Sequence, residues 1–449
     1  MNMHFLHKLK SLASHSGMIM ASRLAGAGIG FLTQFLLVRL MGADHLGVFY
    51  AGSSLAAVLG VLAAQGYPQI AARFVGRYRN KQDDALCGTF AAHAMRQGLL
   101  AASIMALGAT LWAQFWPGFT MDQRVTYMIA GFMPLAIVTL NILTNIAGGM
   151  RLFALSYMPE GLFRPVVFFV LVAAAGLTGF TLSASITMLI FALVTSSIAI
   201  VVAILVVRRL PAVRWMREAR PSLTWRWRRE AWQLVLLAIF TNFFADVGIL
   251  VAFPFLTSSD IAVFGLCLKL ALLVGYFVQI GQQMAVPDMA DARHTRDDER
   301  LRRAALRSII LPSAITATSM AVIFMFGDTL LAFFGPEFAS GRTALLILLA
   351  AQLLRALAGP SAHLLTLSGI QSINLGVATS SLLILFLASA VLSPAFGSAG
   401  AASAVLLTYT YWIAISAFAL QRLGEPPVDI VWLLIKGWRR PSVWSRPAE

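Results

Sequence analysis

Apolar runs of about 20 residues, the length an α-helix needs to cross the hydrocarbon core of a bilayer, recur from Gly17 to Leu420 with short polar breaks between them. In lipid no water is at hand to satisfy exposed backbone groups, so such runs must close their hydrogen bonds internally as helices. The chain is 59% hydrophobic and 12% charged with a mean hydropathy of +0.79, where soluble domains carry about 25% charged residues. The expected fold is an all-α polytopic membrane protein with about 12 transmembrane helices. They are predicted at 17–41, 48–72, 88–115, 124–147, 161–178, 184–207, 231–256, 259–286, 305–327, 342–366, 371–391 and 398–420. Met1 to Lys10 is basic like the start of a signal peptide, but the apolar stretch to Met41 is too long for one and reads as a retained first span.

The net charge of +15 would suit a nucleic-acid partner, but cytoplasmic loops of multi-span proteins accumulate the same excess. Position decides. One break holds Arg73, Arg77, Arg79 and Lys81, and another holds Arg208, Arg209, Arg214, Arg217, Arg220, Arg226, Arg228 and Arg229. A third holds Arg293, Arg296, Arg300, Arg302 and Arg303. The intervening breaks contribute almost only Arg124 and Arg342. This asymmetry places both termini in the cytoplasm. Cys87 and Cys267 stand far apart, without the spacing of a disulfide framework or zinc site.

Asp44-His-Leu-Gly-Val-Phe49 and Ser259-Asp-Ile-Ala-Val-Phe264 share a pattern, and at the same offset Lys81-Gln-Asp-Asp84 matches Arg296-Asp-Asp-Glu299. The predicted organisation is an N-terminal six-helix lobe at 1–207, a basic linker at 208–230 and a C-terminal six-helix lobe at 231–420. A basic tail at 421–449 reads as an interfacial helix. Six is even, so the two lobes share an orientation and are expected to be related by a pseudo-two-fold along the membrane normal, as in transporters that rock around a central cavity. Within the linker, Trp215, Trp225 and Trp227 among the arginines suggest a segment lying on anionic lipid.

An ionisable residue at mid-bilayer costs about 2.5–3.5 kcal/mol on insertion scales, so such residues face cavities or partners. Arg355 lies well inside the tenth predicted span. Asp246 precedes the outer turn by as many residues as Lys269 follows it. Adjacent helices would put these two level, as an ion pair, a coupling site or both. Arg23 sits inside the first span, and Arg96 and Arg164 either lie in the membrane or snorkel to its cytoplasmic edge. His93 and His363 are further titratable groups. The set is mostly cationic, which favours an anionic cargo. Phosphate or pyrophosphate fits best, because a guanidinium fork matches phosphoryl oxygens.

Gly26-Ala-Gly-Ile-Gly30 is not a nucleotide loop, since no βαβ pattern surrounds it. Gly26 and Gly30 instead form a GxxxG step for close helix packing. No G-x-S-x-G, HExxH or Walker sequence occurs, so no catalytic or metal residue is expected. A membrane glycosyltransferase or polymerase would need a large outer loop with catalytic groups. The largest outer break, Gly327 to Arg342, offers only Asp328, Glu337 and Arg342.

With these features in order, the chain resembles the polysaccharide (Wzx-like) flippases of the multidrug/oligosaccharidyl-lipid/polysaccharide exporter superfamily. The likeness is carried by Arg23, Leu37-Val-Arg-Leu-Met-Gly42, Leu46-Gly-Val-Phe49 and Gln65-Gly66 before Arg73. Further on it is carried by Pro159-Glu160 with Arg164-Pro165, Pro287, and Phe396-Gly-Ser-Ala-Gly-Ala-Ala402. The resemblance implies an alternating-access flippase in the bacterial inner membrane, moving an undecaprenyl-pyrophosphate-linked oligosaccharide to the outer leaflet for surface polysaccharide synthesis. It implies cavity cations at Arg23, Lys269 and Arg355, joined by Arg96 and Arg164. It also implies no cofactor beyond H+ or Na+ coupling, for which Asp246 and Glu160 are the acids at hand. Partners would be the bilayer, the lipid-linked cargo, and the polymerase and glycosyltransferases of the same pathway. A peptidoglycan-precursor flippase and a small-solute or drug antiporter of the same superfamily are the neighbouring alternatives.

Overall fold

In the computed structural model, the described residues are 3–179, 181–210, 221–295, 298–360, 365, 371–423 and 429–431. Most of the tail expected to form an interfacial helix, residues 211–220 of the linker with Trp215, and His363 lie outside them. Helix accounts for 91% of the structure, and no strand occurs among the described residues.

Among the described residues, nine helices are long and apolar enough to cross a membrane, and a bent pair makes ten. Two of these turn back at a glycine. α1 (Met3–Ala63) breaks at Gly42, with φ 72° and ψ 171°, and the helix Gln371–Arg422, α14 below, breaks at Gly397, with φ 58° and ψ −136°. Counting each break as two crossings gives the 12 spans expected from hydropathy. A left-handed φ of this kind is one that glycine adopts at little cost, so the loops predicted at 42–45 and around 397 shrink to single residues.

The chain forms two compact units, Met1–Val247 and Gly248–Glu449. The first continues from α1 through α2 (Tyr67–Asn80), α3 (Asp84–Phe115) and α4 (Met121–Gly149). A broken span follows: α5 (Phe153–Met158), a π-helical turn at Pro159–Phe163, and α6 (Arg164–Leu177). Then come α7 (Ala184–Val207), α8 (Pro221–Trp232) and α9 (Val235–Asn242). The second span, expected to reach residue 72, ends at Ala63. Gln65 (φ 51°) and Gly66 (φ 77°) turn the chain, and Pro68 sits in the first turn of α2, where its missing N–H costs nothing.

Local chemistry sets the other ends. Thr120 and Gln123 form a capping box at the start of α4. Ser183 accepts from the Ile186 N–H at the start of α7, while the Asp122 carboxylate accepts from the N–H groups of Ala184 and Ser185 at 3.3 and 3.0 Å. α3 shows how the bundle sorts its residues. Gly98, Ala102, Ala106, Ala109 and Ala113 are buried, whereas Leu100, Ile104, Leu107 and Leu111 are exposed. Lipid solvates leucine as well as a protein core does, so small residues take the contacts and bulky ones face outward.

The seventh span is not the continuous helix predicted at 231–256. α8 and α9 lead into α10 (Phe244–Ala252), and the chain bends by 69° between Phe240 and Phe244. The unit boundary falls inside α10, beyond the boundary at 230 expected from loop charge.

The second unit holds α11 (Ser258–Thr295), α12 (Asp298–Ala332), a 3-10 turn at Pro336–Gly341, α13 (Arg342–Leu357) and α14 (Gln371–Arg422). Met289, Leu301, Ile309, Leu365 and Leu420 form one of its cores. Gly341 lets the turn before α13 reach α11: a Cβ there would come within 2.8 Å of the Cys267 sulfur, whose thiol donates to the Gly341 carbonyl at 3.4 Å. The outer break expected at 327–342 is tied by Arg342, which donates to Asp328 at 2.7 Å and to the Phe324 carbonyl.

Candidate functional site

The second unit gathers polar side chains where apolar ones would pack more cheaply. Arg355, half-buried, occupies the last turn of α13. That helix ends at Leu357 rather than 366: Gly359 (φ 62°) supplies the left-handed residue that closes a helix C-terminus, and Pro360 follows. Arg355 therefore stands near a helix end instead of mid-helix, where its charge also meets the negative pole of the helix dipole. The Ala-Gly-Pro run at 358–360 was the visible signal for this stop.

α11 supplies the partner for that end. The side-chain amide of Gln282 donates to the carbonyls of Arg355, at 3.2 Å, and Gly359, at 2.9 Å. The Arg355 carbonyl, one of those that a helix C-terminus leaves without an intrahelical donor, and the Gly359 carbonyl of the turn beyond are thus satisfied from a neighbouring helix. Gln352 is 2% exposed, and the absence of a side chain at Gly275 makes its space, since a Cβ there would lie 2.8 Å from the Gln352 Oε1. The Tyr409 hydroxyl of α14 meets both Arg355 and Gln352. Residues of three helices therefore gather at the end of α13: Gln282 of α11 on its backbone, and Tyr409 of α14 on the Arg355 guanidinium, which carries five N–H donors. Gln282, Gln352 and Tyr409 carry no charge and so do not stand out within apolar spans as Arg355 does. Two buried glutamines in apolar runs were the available clue.

Lys269 is half-buried on α11. At 100° per residue it falls on a different face of that helix from Gly275 and Gln282, so it does not join the Arg355 cluster.

In the first unit, the Ser54 hydroxyl, 1% exposed, donates to the Asp246 carboxylate at 3.1 Å. Glu160 stands on the π-helical turn, and Arg164 follows it, half-buried, with its guanidinium carbon 5.8 Å from the centre of the Phe191 ring. Gly26 packs directly on this turn: a Cβ on Gly26 would meet the Gly161 carbonyl oxygen at 1.8 Å, whereas nothing lies within 4 Å of one on Gly30. Only the first glycine of the expected GxxxG step makes the close approach. Arg96 is exposed, a turn beyond His93, which hydrogen-bonds the Tyr67 hydroxyl at 3.1 Å. Arg23 falls on α1, but its side chain lies outside the described residues.

Trp227 departs from the lipid-facing placement expected of the linker tryptophans. It is instead fully buried in the core of the first unit, against Phe90, His93 and Tyr78. Its indole N–H donates to the Tyr78 hydroxyl at 2.9 Å, and burial raises the pKa of that hydroxyl, keeping it neutral. Glu230 accepts from Arg226 at 3.0 Å and from Arg73 of α2. The linker helix is thus bolted to the bundle.

Several solved structures share this fold. Lipid II flippase MurJ in an inward closed conformation aligns with a TM-score of 0.70 at 11% identity, covering 90% of this chain and 87% of that one. An inward-facing multidrug resistance MATE family transporter of the MOP superfamily gives 0.68 at 14% identity, covering 88% and 94%. The eukaryotic MATE transporter AtDTX14 gives 0.55 at 14%, covering 93% and 96%. At such identities the likeness is one of fold. No protein-family model and no curated protein matches the sequence. The chain is a multi-pass membrane protein with the fold of these transporters.

Proposed function

We propose that this chain is an alternating-access flippase that carries an anionic, lipid-linked oligosaccharide from the cytoplasmic to the outer leaflet of a bacterial inner membrane. Arg355 is the observation that carries the reading. A half-buried guanidinium that meets the Tyr409 hydroxyl, itself joined to Gln352, is a costly arrangement to keep in a membrane bundle, and its fork matches phosphoryl oxygens. Lys269 adds a second half-buried cation in the same unit, and Arg164 one in the first. Moving one negative charge out of a negative cytoplasm is favoured by about 2.3 kcal/mol per 100 mV, so a pyrophosphate cargo assists its own export. Asp246 and Glu160 are the groups through which a proton or sodium ion would couple.

A peptidoglycan precursor is the second reading, favoured by the fold likeness to a structure named as a lipid II flippase. Both readings share a pyrophosphate-linked lipid cargo and differ in the sugar. In cells that depend on the chain for surface polysaccharide, Arg355→Gln is expected to abolish the polymer while the protein remains at its normal level in the membrane. Normal polymer together with normal cell-wall synthesis in that strain refutes the role of Arg355. Loss of cell-wall synthesis with surface polysaccharide intact favours the second reading.

A further inference from the structure

α8 has two opposed faces. At 100° per residue, Trp227 and Ala231 share the face that enters the bundle, and both are buried. Trp225, Arg229 and Trp232 fall together on the opposite face. Trp225 is 61% and Trp232 is 62% exposed, and the guanidinium of Arg229 lies 5.3 Å from the centre of the Trp225 ring. The other arginines of the helix are engaged elsewhere. Arg226 pairs with Glu230, and Arg228 lies at the Tyr67 hydroxyl. Exposed Arg208 and Arg209 close the preceding helix and add positive charge upstream.

We propose that the Trp225–Arg229–Trp232 stripe is a docking surface for anionic phospholipid headgroups. Indole rings concentrate at the bilayer interface, with an apolar body and one N–H to offer, and two of them flanking a cation match an acyl-headgroup boundary carrying negative charge. An isolated amphipathic helix must fold as it binds lipid. Here the Trp227–Tyr78 hydrogen bond and the Arg73–Glu230 pair hold the helix in place beforehand, so the stripe is preformed and meets the leaflet at a fixed point of the bundle. The inference requires only that the chain spans a bilayer and does not depend on its cargo.

The test uses the full chain in nanodiscs containing brominated phosphatidylglycerol or, at equal mole fraction, brominated phosphatidylcholine, whose bromines quench tryptophan on contact. The emission of Trp225 and Trp232 is the difference between the wild type and a Trp225→Phe/Trp232→Phe variant. Phosphatidylglycerol is expected to quench it more, by up to about fivefold for one engaged arginine. The excess should fall in Arg229→Gln and at high salt. Equal quenching by the two lipids overturns the preference for anions. No quenching by either overturns lipid contact, and points to water or a protein partner on this face. Should the double variant not fold, Arg229→Gln keeps both indoles, and an unchanged lipid preference in total emission contradicts the proposal equally.

Discussion

The indole N–H of Trp227 donates to the hydroxyl of Tyr78 at 2.9 Å, joining a helix from the basic linker to one that follows the second span. The bond sits within a buried aromatic group that also contains Phe74 and Phe90. Removing a fully buried aromatic side chain costs about 3–5 kcal/mol. Trp227→Ala is therefore expected to lower the melting temperature of the purified protein sharply. Tyr78→Phe, which loses one hydrogen bond of about 1 kcal/mol, should lower it slightly. Equal melting of Trp227→Ala and wild type would show that α8 is not docked.

The glycines of α1 should behave differently although they look alike in sequence. Gly26→Ala forces a methyl group into the Gly161 carbonyl, while Gly30→Ala meets open space. Gly26→Ala is expected to give little monodisperse protein on size-exclusion chromatography and Gly30→Ala a normal yield, since alanine suits a helix interior better than glycine. Gly400→Ala should fail as Gly26→Ala does, because its Cβ would lie 2.0 Å from the Leu392 carbonyl oxygen.

Gln282 is expected to act on stability more than its exposed polar neighbours. Gln282→Leu leaves the carbonyls of Arg355 and Gly359 without their donor, a loss of about 1–3 kcal/mol when such groups are buried. Thermal unfolding of the variant in detergent checks this. A melting temperature matching wild type would mean that water replaces the amide.

The architecture was largely legible in the sequence, and of the candidate site only the charged residues were. Span number follows from hydropathy because the hydrocarbon core imposes one length on every crossing. The loops at Gly42 and Gly397 were recognisable from their glycines. What escaped were interruptions of helices by backbone chemistry: the turn at Gln65–Gly66, the π-helical turn at Pro159, and the stop at Gly359. Hydropathy averages over such single residues. Trp227 misled for a related reason. A tryptophan among arginines suits a lipid surface and a buried helix contact equally well, and α8 carries exposed Trp225 and Trp232 beside buried Trp227. The Arg355 cluster depends on uncharged partners from three helices, whose convergence no spacing along the chain reveals.

Asp246 is expected to matter to coupling more than to folding. Asp246→Asn keeps the shape and an acceptor for the Ser54 hydroxyl but removes the charge. Export should lose its dependence on an imposed proton or sodium gradient while the protein still reaches the membrane. An unchanged gradient dependence would remove Asp246 from the coupling path.

Transport of a pyrophosphate-linked lipid, its phosphates held by the cations of the bundle, is the proposed function. It is tested most directly with the purified chain in proteoliposomes, following movement of a fluorescent undecaprenyl-pyrophosphate oligosaccharide between leaflets. Wild type is predicted to translocate it. Arg355→Gln and Lys269→Gln, reconstituted to the same density, are predicted to fall to the rate of protein-free vesicles. Translocation by both variants at the wild-type rate, or none by the wild type, would refute that function for these cations.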